Sequence, residues 1–152
     1  MCYLRPMNAY EFEHYIKEAV IEYASELTKS GSCAEKDSLK EAQQTFNFLL
    51  ADGIKTKGQF LFHVINETNA IIGMIWFGLR PNKEGFIYDF SIHEDYRSQG
   101  FGTKAMELIE LEAKKHAVKK LGLRVFGHNV AAISLYKKLG YEIYSMNMSK
   151  EI

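Results

Sequence analysis

The sequence predicts an α/β fold, a mixed sheet of α+β character with helices packed on it. Three observations carry that prediction. The apolar period is helical through the first third of the chain and strand-like through the middle. The middle strands are joined by turns of a few residues, which suit antiparallel neighbours, because a parallel pair needs a long crossover. The last third alternates helix and strand patterns. The predicted order is β-α-α-β-β-β-α-β-α-β, read as one domain over residues 1–152.

Residues 2–5 form a short run ended by Pro6, an edge strand. Asn8 with Glu11 three residues on is close to a capping box. Phe12, Tyr15, Ile16, Ala19, Val20 and Tyr23 then keep one helical face apolar, and Gly31 is a natural stop. Ser32 and Glu35 make a second capping-box match, opening a helix whose expected buried stripe is Leu39, Ala42, Phe46 and Leu49, with Gly53 after it. Residues 60–65, 70–79 and 86–93 are rich in β-branched and aromatic side chains and read as three strands. The turns between them are 67–69 and the Pro81-Asn82 and Gly85 region. Phe101, Ala105, Ile109, Ala113 and Ala117, with Leu108 beside them, predict a helix lying on the sheet. Residues 121–126 read as a strand. Asn129 opens a helix with Ala132, Leu135, Tyr136 and Leu139 inward, Gly140 ends it, and residues 141–148 read as a closing strand.

Composition excludes several classes of function. Hydrophobic residues make up 47% and charged residues 25%, ordinary for a globular domain. Lys plus Arg and Asp plus Glu both number 19, so the formal net charge is zero and gives no support to nucleic-acid binding. Cys2 and Cys33 are far apart and neither sits in a Cys/His cluster at metal spacing, so they read as reduced thiols and no metal is expected. No stretch is long and apolar enough to span a membrane, and no signal-peptide pattern opens the chain. The expected location is cytoplasmic.

Residues 86–106, FIYDFSIHEDYRSQGFGTKAM, carry the chemistry. They read as a buried strand, a polar turn and a glycine-rich opening into a helix. The first N–H groups of a helix have no intrahelical partner and carry the positive end of its dipole, so this construction suits a phosphate. Gly100-x-Gly102-x-x-Ala105 also fits the dinucleotide fingerprint. That fingerprint wants a parallel βαβ unit and an acidic residue at the end of the next strand. The next strand runs into Gly127-His128-Asn129, and the strand before the glycines belongs to an antiparallel meander. A P-loop fails too, because Lys104 lacks the glycine spacing before it and Ser or Thr after it.

Arg97-x-x-Gly100-x-Gly102, after Ile92 and opening a helix, resembles the signature segment of the GNAT superfamily of acetyl-CoA-dependent N-acetyltransferases. LRVFGHNVAAISLYKKLGY resembles a later segment of the same family: a strand, an Asn, a helix with Ala-x-x-Leu-Tyr, then Leu-Gly-Tyr. Both occur in the family's order and spacing. The resemblance implies that the pyrophosphate of acetyl-CoA rests on the backbone of Gln99, Gly100, Phe101, Gly102 and Thr103, in a loop shaped by Arg97 and Ser98. It implies that the pantetheine arm runs along Phe90, Ser91 and Ile92, where two parallel strands splay, and that a backbone N–H there steadies the thioester oxygen as it gains charge. Two positions depart from the family's habit, Glu94 where Pro is frequent and Ser98 where Gly is frequent.

The resemblance also assigns Tyr136 the role of general acid, protonating the departing thiolate, and this reading is preferred to that of a plain core tyrosine on the helix's buried face. Asn129 has two readings, helix cap and cofactor contact. For the general base, Asp89 on the central strand is the choice, with Tyr88, His93, Glu94 and Asp95 nearby in sequence. The resemblance further places the acceptor near Glu18, Glu22 and Tyr23, with Trp76 and Phe77. The expected activity is transfer of acetyl to a primary amine of a small molecule or peptide, with neither nucleic acid nor membrane as partner and a homodimer left open. The alternative is a non-catalytic acyl-CoA-binding or sensing module.

Overall fold

The structure, a computed structural model, describes residues 1–152. In chain order it contains β1 (Cys2–Pro6), α1 (Ala9–Lys29), α2 (Glu35–Leu49), β2 (Gln59–Asn66), β3 (Ile71–Arg80), β4 (Glu84–Ile92), α3 (Phe101–Lys115), β5 (Lys120–Leu123) and α4 (Val130–Lys138). One-turn 3-10 helices occupy Gly53–Lys55 and Glu94–Tyr96. The five strands form one sheet in the order β1-β2-β3-β4-β5. Neighbours are antiparallel up to β4, and β5 runs parallel to β4. The α/β class and the mixed sheet are as the sequence predicts. No helix is long and apolar enough to cross a membrane.

The chain groups into two units, Met1–Ile16 with Leu49–Arg124, and Lys17–Phe48 with Val125–Ile152. The first holds the sheet, α3 and the opening turns of α1. Its core is filled by Val64, Ile72, Ile75, Trp76, Phe77, Met106 and Ile109, all fully buried. The α3 stripe packs as its four-residue spacing predicts, with Ala105, Ile109 and Ala113 buried. Ala117, expected on that stripe, lies beyond the helix end in a left-handed conformation, φ 60°. The α1 capping box forms in full. The Glu11 N–H donates to Asn8 Oδ1 at 2.8 Å, and the Asn8 N–H donates to Glu11 Oε1 at 3.0 Å.

The second unit holds the rest of α1, then α2, α4 and the C-terminal segment. Here the Ser32–Glu35 box does not form. Ser32 Oγ pairs with Ser30 Oγ at 2.7 Å, and α2 winds from the Ala34 carbonyl, which accepts from the N–H groups of Asp37 and Ser38. The buried face of α2 is Ser38, Ala42 and Phe46, while Leu39 stays 57% exposed. A serine can face inward because its hydroxyl pairs with Thr28 Oγ1 at 2.7 Å. Tyr23 packs edge-on against Phe46, with ring centroids 6.0 Å apart.

Two expectations at the end of the chain are corrected. β5 stops at Leu123 rather than 126, because its pairing with β4 ends at Ile87↔Leu123. Residues 141–148 form no strand. Ile143, Tyr144, Met146 and Met148 are 55–90% exposed. The apolar pattern is present, but strand hydrogen bonds exist only between strands, and no strand pairs with this segment.

Candidate active site

β4 carries the site because its two halves are treated differently. From Glu84 to Ile87 it is paired on both sides, with β3 and with β5. Beyond Ile87 only β3 pairs with it. At that point β4 bulges. Trp76 faces Asp89 and Phe77 faces Ile87, so Tyr88 is the extra residue. Tyr88 is pinned by its neighbours, its ring 4.8 Å from that of Trp76 and its hydroxyl accepting from Arg80 Nε at 3.3 Å. The edge of Phe90, Ser91 and Ile92 turned away from β3 therefore meets no strand, the arrangement an extended ligand with amide groups can use.

The approach of β3 to that segment requires a glycine. A Cβ on Gly73 would sit 2.2 Å from the Ser91 carbonyl oxygen, opposite Ile92 in register. Past Ile92 the turn is built by its own side chains. Arg97 Nε donates to the Ile92 carbonyl at 2.8 Å, and Gln99 Nε2 donates to the Asp95 carbonyl at 3.0 Å. Ser98 and Gly100 both have positive φ, 59° and 85°. Gly100 is the N-cap of α3 and carries no side chain to cap it. The first backward bond of the helix is Lys104 N–H to Gly100 O at 3.1 Å, so the N–H groups of Phe101, Gly102 and Thr103 precede it. The donor set fits a phosphate.

Asp89, next to the bulge on β4, is half-buried. Its Oδ2 accepts from the Tyr15 hydroxyl at 2.6 Å. Burial raises its pKa above the ordinary 3.8, opposed by the bonds from Tyr15 and from the Phe90 N–H. One turn earlier on α1, Glu11 is held below the ordinary carboxylate range, chiefly by its bond from the Asn8 N–H. Glu11 also pairs with Arg5 at 2.6 Å and lies 3.5 Å from His63 Nε2. Burial keeps the His63 pKa below 6.5. No group of three or more His, Cys, Asp or Glu side chains is placed to hold a metal ion.

Asn129 and Tyr136 belong to the second unit. Asn129 caps α4, its Oδ1 accepting from the Ala132 N–H at 3.3 Å. Tyr136 is half-buried in the last turn, with the Tyr141 ring edge-on at 6.0 Å. The turn closes around Gly140, φ 94°, where the Tyr141 N–H bonds to the Tyr136 carbonyl at 3.0 Å. No α4 side chain is fully buried, so the predicted inward face is only half-covered. In the same unit His128 Nε2 meets Glu26 Oε2 at 2.5 Å.

The structure therefore gathers Asp89, Phe90, Ser91 and Ile92 with the turn from Arg97 to Thr103 in one continuous stretch of the first unit. It corrects the expected acceptor wall: Trp76 and Phe77 are 2% and 0% exposed and are core residues. Glu18 and Glu22 lie exposed on α1. Tyr15, which its spacing assigns to the apolar stripe of α1, is instead a hydrogen-bond donor to β4, a use the sequence does not reveal. Nothing in the local pattern separates those two uses of a tyrosine.

A strand left bare after a bulge is followed here by an uncapped glycine turn, so backbone donors line one edge and one helix start in sequence. The chain belongs to the GNAT acetyltransferase family, whose model matches residues 18–141. It is 32% identical to the uncharacterized N-acetyltransferase YycN of Bacillus subtilis, over 98% of this chain and 97% of that one. It is 28% identical, over the same shares, to the uncharacterized N-acetyltransferase YdgE of the same organism. The crystal structure of YycN superposes with a TM-score of 0.94, covering 100% of this chain and 99% of that chain. An acetyltransferase from Pyrococcus furiosus at 23% identity, with a TM-score of 0.67 and full coverage of both chains, shares the fold.

Proposed function

We propose that this acetyltransferase moves acetyl from acetyl-CoA to a primary amine of a small molecule or peptide. The observation that carries the reading is the bared edge of Phe90 to Ile92 leading into the uncapped start of α3. The amides of Gln99, Gly100, Phe101, Gly102 and Thr103 would hold the diphosphate, with Arg97 and Ser98 fixing the turn. The β4 edge would hold the amides of the pantetheine arm. When bound, the cofactor supplies an activated thioester carbonyl.

The chain's own residues do the proton work. An amine acceptor arrives largely as ammonium, and Asp89 takes a proton from it. Burial of Asp89 makes it a stronger base than a solvated aspartate. Tyr136 gives its proton to the departing sulfur, a role supported by its place in the Ala-x-x-Leu-Tyr segment. Asn129 serves α4 as a cap, and contact with the cofactor is a second role.

A screen of primary amines with acetyl-CoA, read by release of free thiol, tests the reading. The expected result is amine-dependent release. CoA binding with no amine-dependent release would favour a sensing module instead. Tyr136→Phe should lower turnover by about 10²–10⁴-fold with the CoA dissociation constant unchanged. Unchanged turnover would remove Tyr136 from the mechanism.

A further inference from the structure

Glu11 and Tyr15 stand one turn apart on the same face of α1. Glu11 is committed to β1 and β2 through Arg5 and His63. Tyr15 reaches further, to β4, and donates to Asp89 Oδ2 at 2.6 Å, at the short end for a hydroxyl donor. Asp89 is presented there directly after the bulged Tyr88.

The surroundings of Asp89 make that bond consequential. From β3 it is faced by Trp76, whose indole N–H donates to Gln59 Oε1 at 2.7 Å. From its own strand the Phe90 N–H donates to it, and from α1 comes the Tyr15 phenol. No cationic side chain acts on it from any of these elements. A half-buried carboxylate without a cation depends on its hydrogen bonds to remain ionised. A base also needs a lone pair that is not already engaged.

We propose that Tyr15 is the positioning residue for proton removal from the acceptor. It engages Oδ2 of Asp89, directs Oδ1 to the ammonium, and keeps the carboxylate ionised to lower pH. Tyr15 keeps its own proton throughout. The inference rests on Asp89 as the base.

The test is a carboxyl-¹³C NMR titration of aspartate-labelled protein, with Asp89 assigned through Asp89→Asn. In Tyr15→Phe the Asp89 signal should titrate roughly one pH unit higher. The acid limb of kcat, for the most active amine of the screen, should move with it, while the CoA dissociation constant stays fixed. Site-specific 3-fluorotyrosine at position 15 keeps the shape of the side chain and donates more strongly. It should move both readouts to lower pH, and it guards against a Phe variant that folds poorly. If the Asp89 signal titrates at one pH in all three proteins, the positioning role is overturned while the base survives. If Asp89→Asn turns over normally, Asp89 is not the base and Tyr15 loses its role with it.

Discussion

The two helices of the last third begin in opposite ways. α4 starts under the carboxamide of Asn129, which accepts from the Ala132 N–H at 3.3 Å. α3 starts at Gly100 with no side-chain cap, after a turn carrying two left-handed residues. An N-cap side chain typically contributes about 0.5–2 kcal/mol. α4 has that stabilisation and α3 goes without it. The difference separates a helix start closed by its own side chain from one whose first N–H groups are left for another partner, as the proposed diphosphate site requires. Natural sequences break local rules where function requires it.

The contrast can be broken from either side. A carboxylate at the start of α3 would satisfy the helix dipole and repel a diphosphate at the same place. Gly100→Asp should therefore weaken CoA binding by about 100-fold, as charges a few ångströms apart near a protein surface allow, and lower Tm by only a few degrees, the strain of a Cβ at φ 85° being partly offset by the new charge at the helix start. Calorimetric titration with CoA, beside a thermal melt, reads both. A melt that collapses while the remaining folded protein binds CoA normally would mean that Gly100 serves the fold alone. Asn129→Ala should do the reverse. It should cost about 0.5–2 kcal/mol of stability and leave CoA affinity within a few fold. A large loss of affinity at unchanged Tm would instead give Asn129 the cofactor contact as its main role.

The carboxylates of the first unit repeat the contrast. Glu11 is held below its ordinary pKa by donors, and Asp89 is held above it by burial. Asp89 accordingly destabilises the folded state when ionised. Between pH 3.8 and its folded pKa the native chain retains a proton that the unfolded chain has released. Stability therefore falls as pH rises through that window, and the deficit is complete above it. Asp89→Asn keeps an acceptor for Tyr15 and removes the charge. Its Tm should exceed that of the parent by a few degrees at pH 7, with the gain vanishing below pH 3.8. A variant less stable than the parent at pH 7 would show that the ionised form is favoured in the fold.

The sequence made the fold legible where apolar spacing had something to pack on. The α3 stripe, the three-strand meander and the Asn8–Glu11 box all form from local patterns. It failed where the outcome depends on a distant partner. Residues 141–148 alternate like a strand, yet pairing is a property of two segments. Ser32 and Glu35 have the spacing of a box, yet Ser32 finds Ser30 first. The glycine turn was readable because left-handed backbone and bare amides select residue types directly. Tyr15 was not, because its bond to Asp89 spans 74 positions and depends on a bulge that no residue type announces.

Ser98 offers the smallest test, and the one that divides fold from ligand most finely. Its φ of 59° lies where a residue with a Cβ is strained, by roughly 1–2 kcal/mol. Glycine would remove that strain but would add freedom to the unfolded chain, worth roughly 0.5–1 kcal/mol. Ser98→Gly should therefore stabilise the protein by at most about 1.5 kcal/mol. The lost hydroxyl is a potential donor to phosphate, so CoA affinity should fall, by less than about ten-fold. Opposite small movements of Tm and affinity would place Ser98 with Gly100, in a turn strained and uncapped for its ligand. A gain in both would make the serine a tolerated departure that binding does not use.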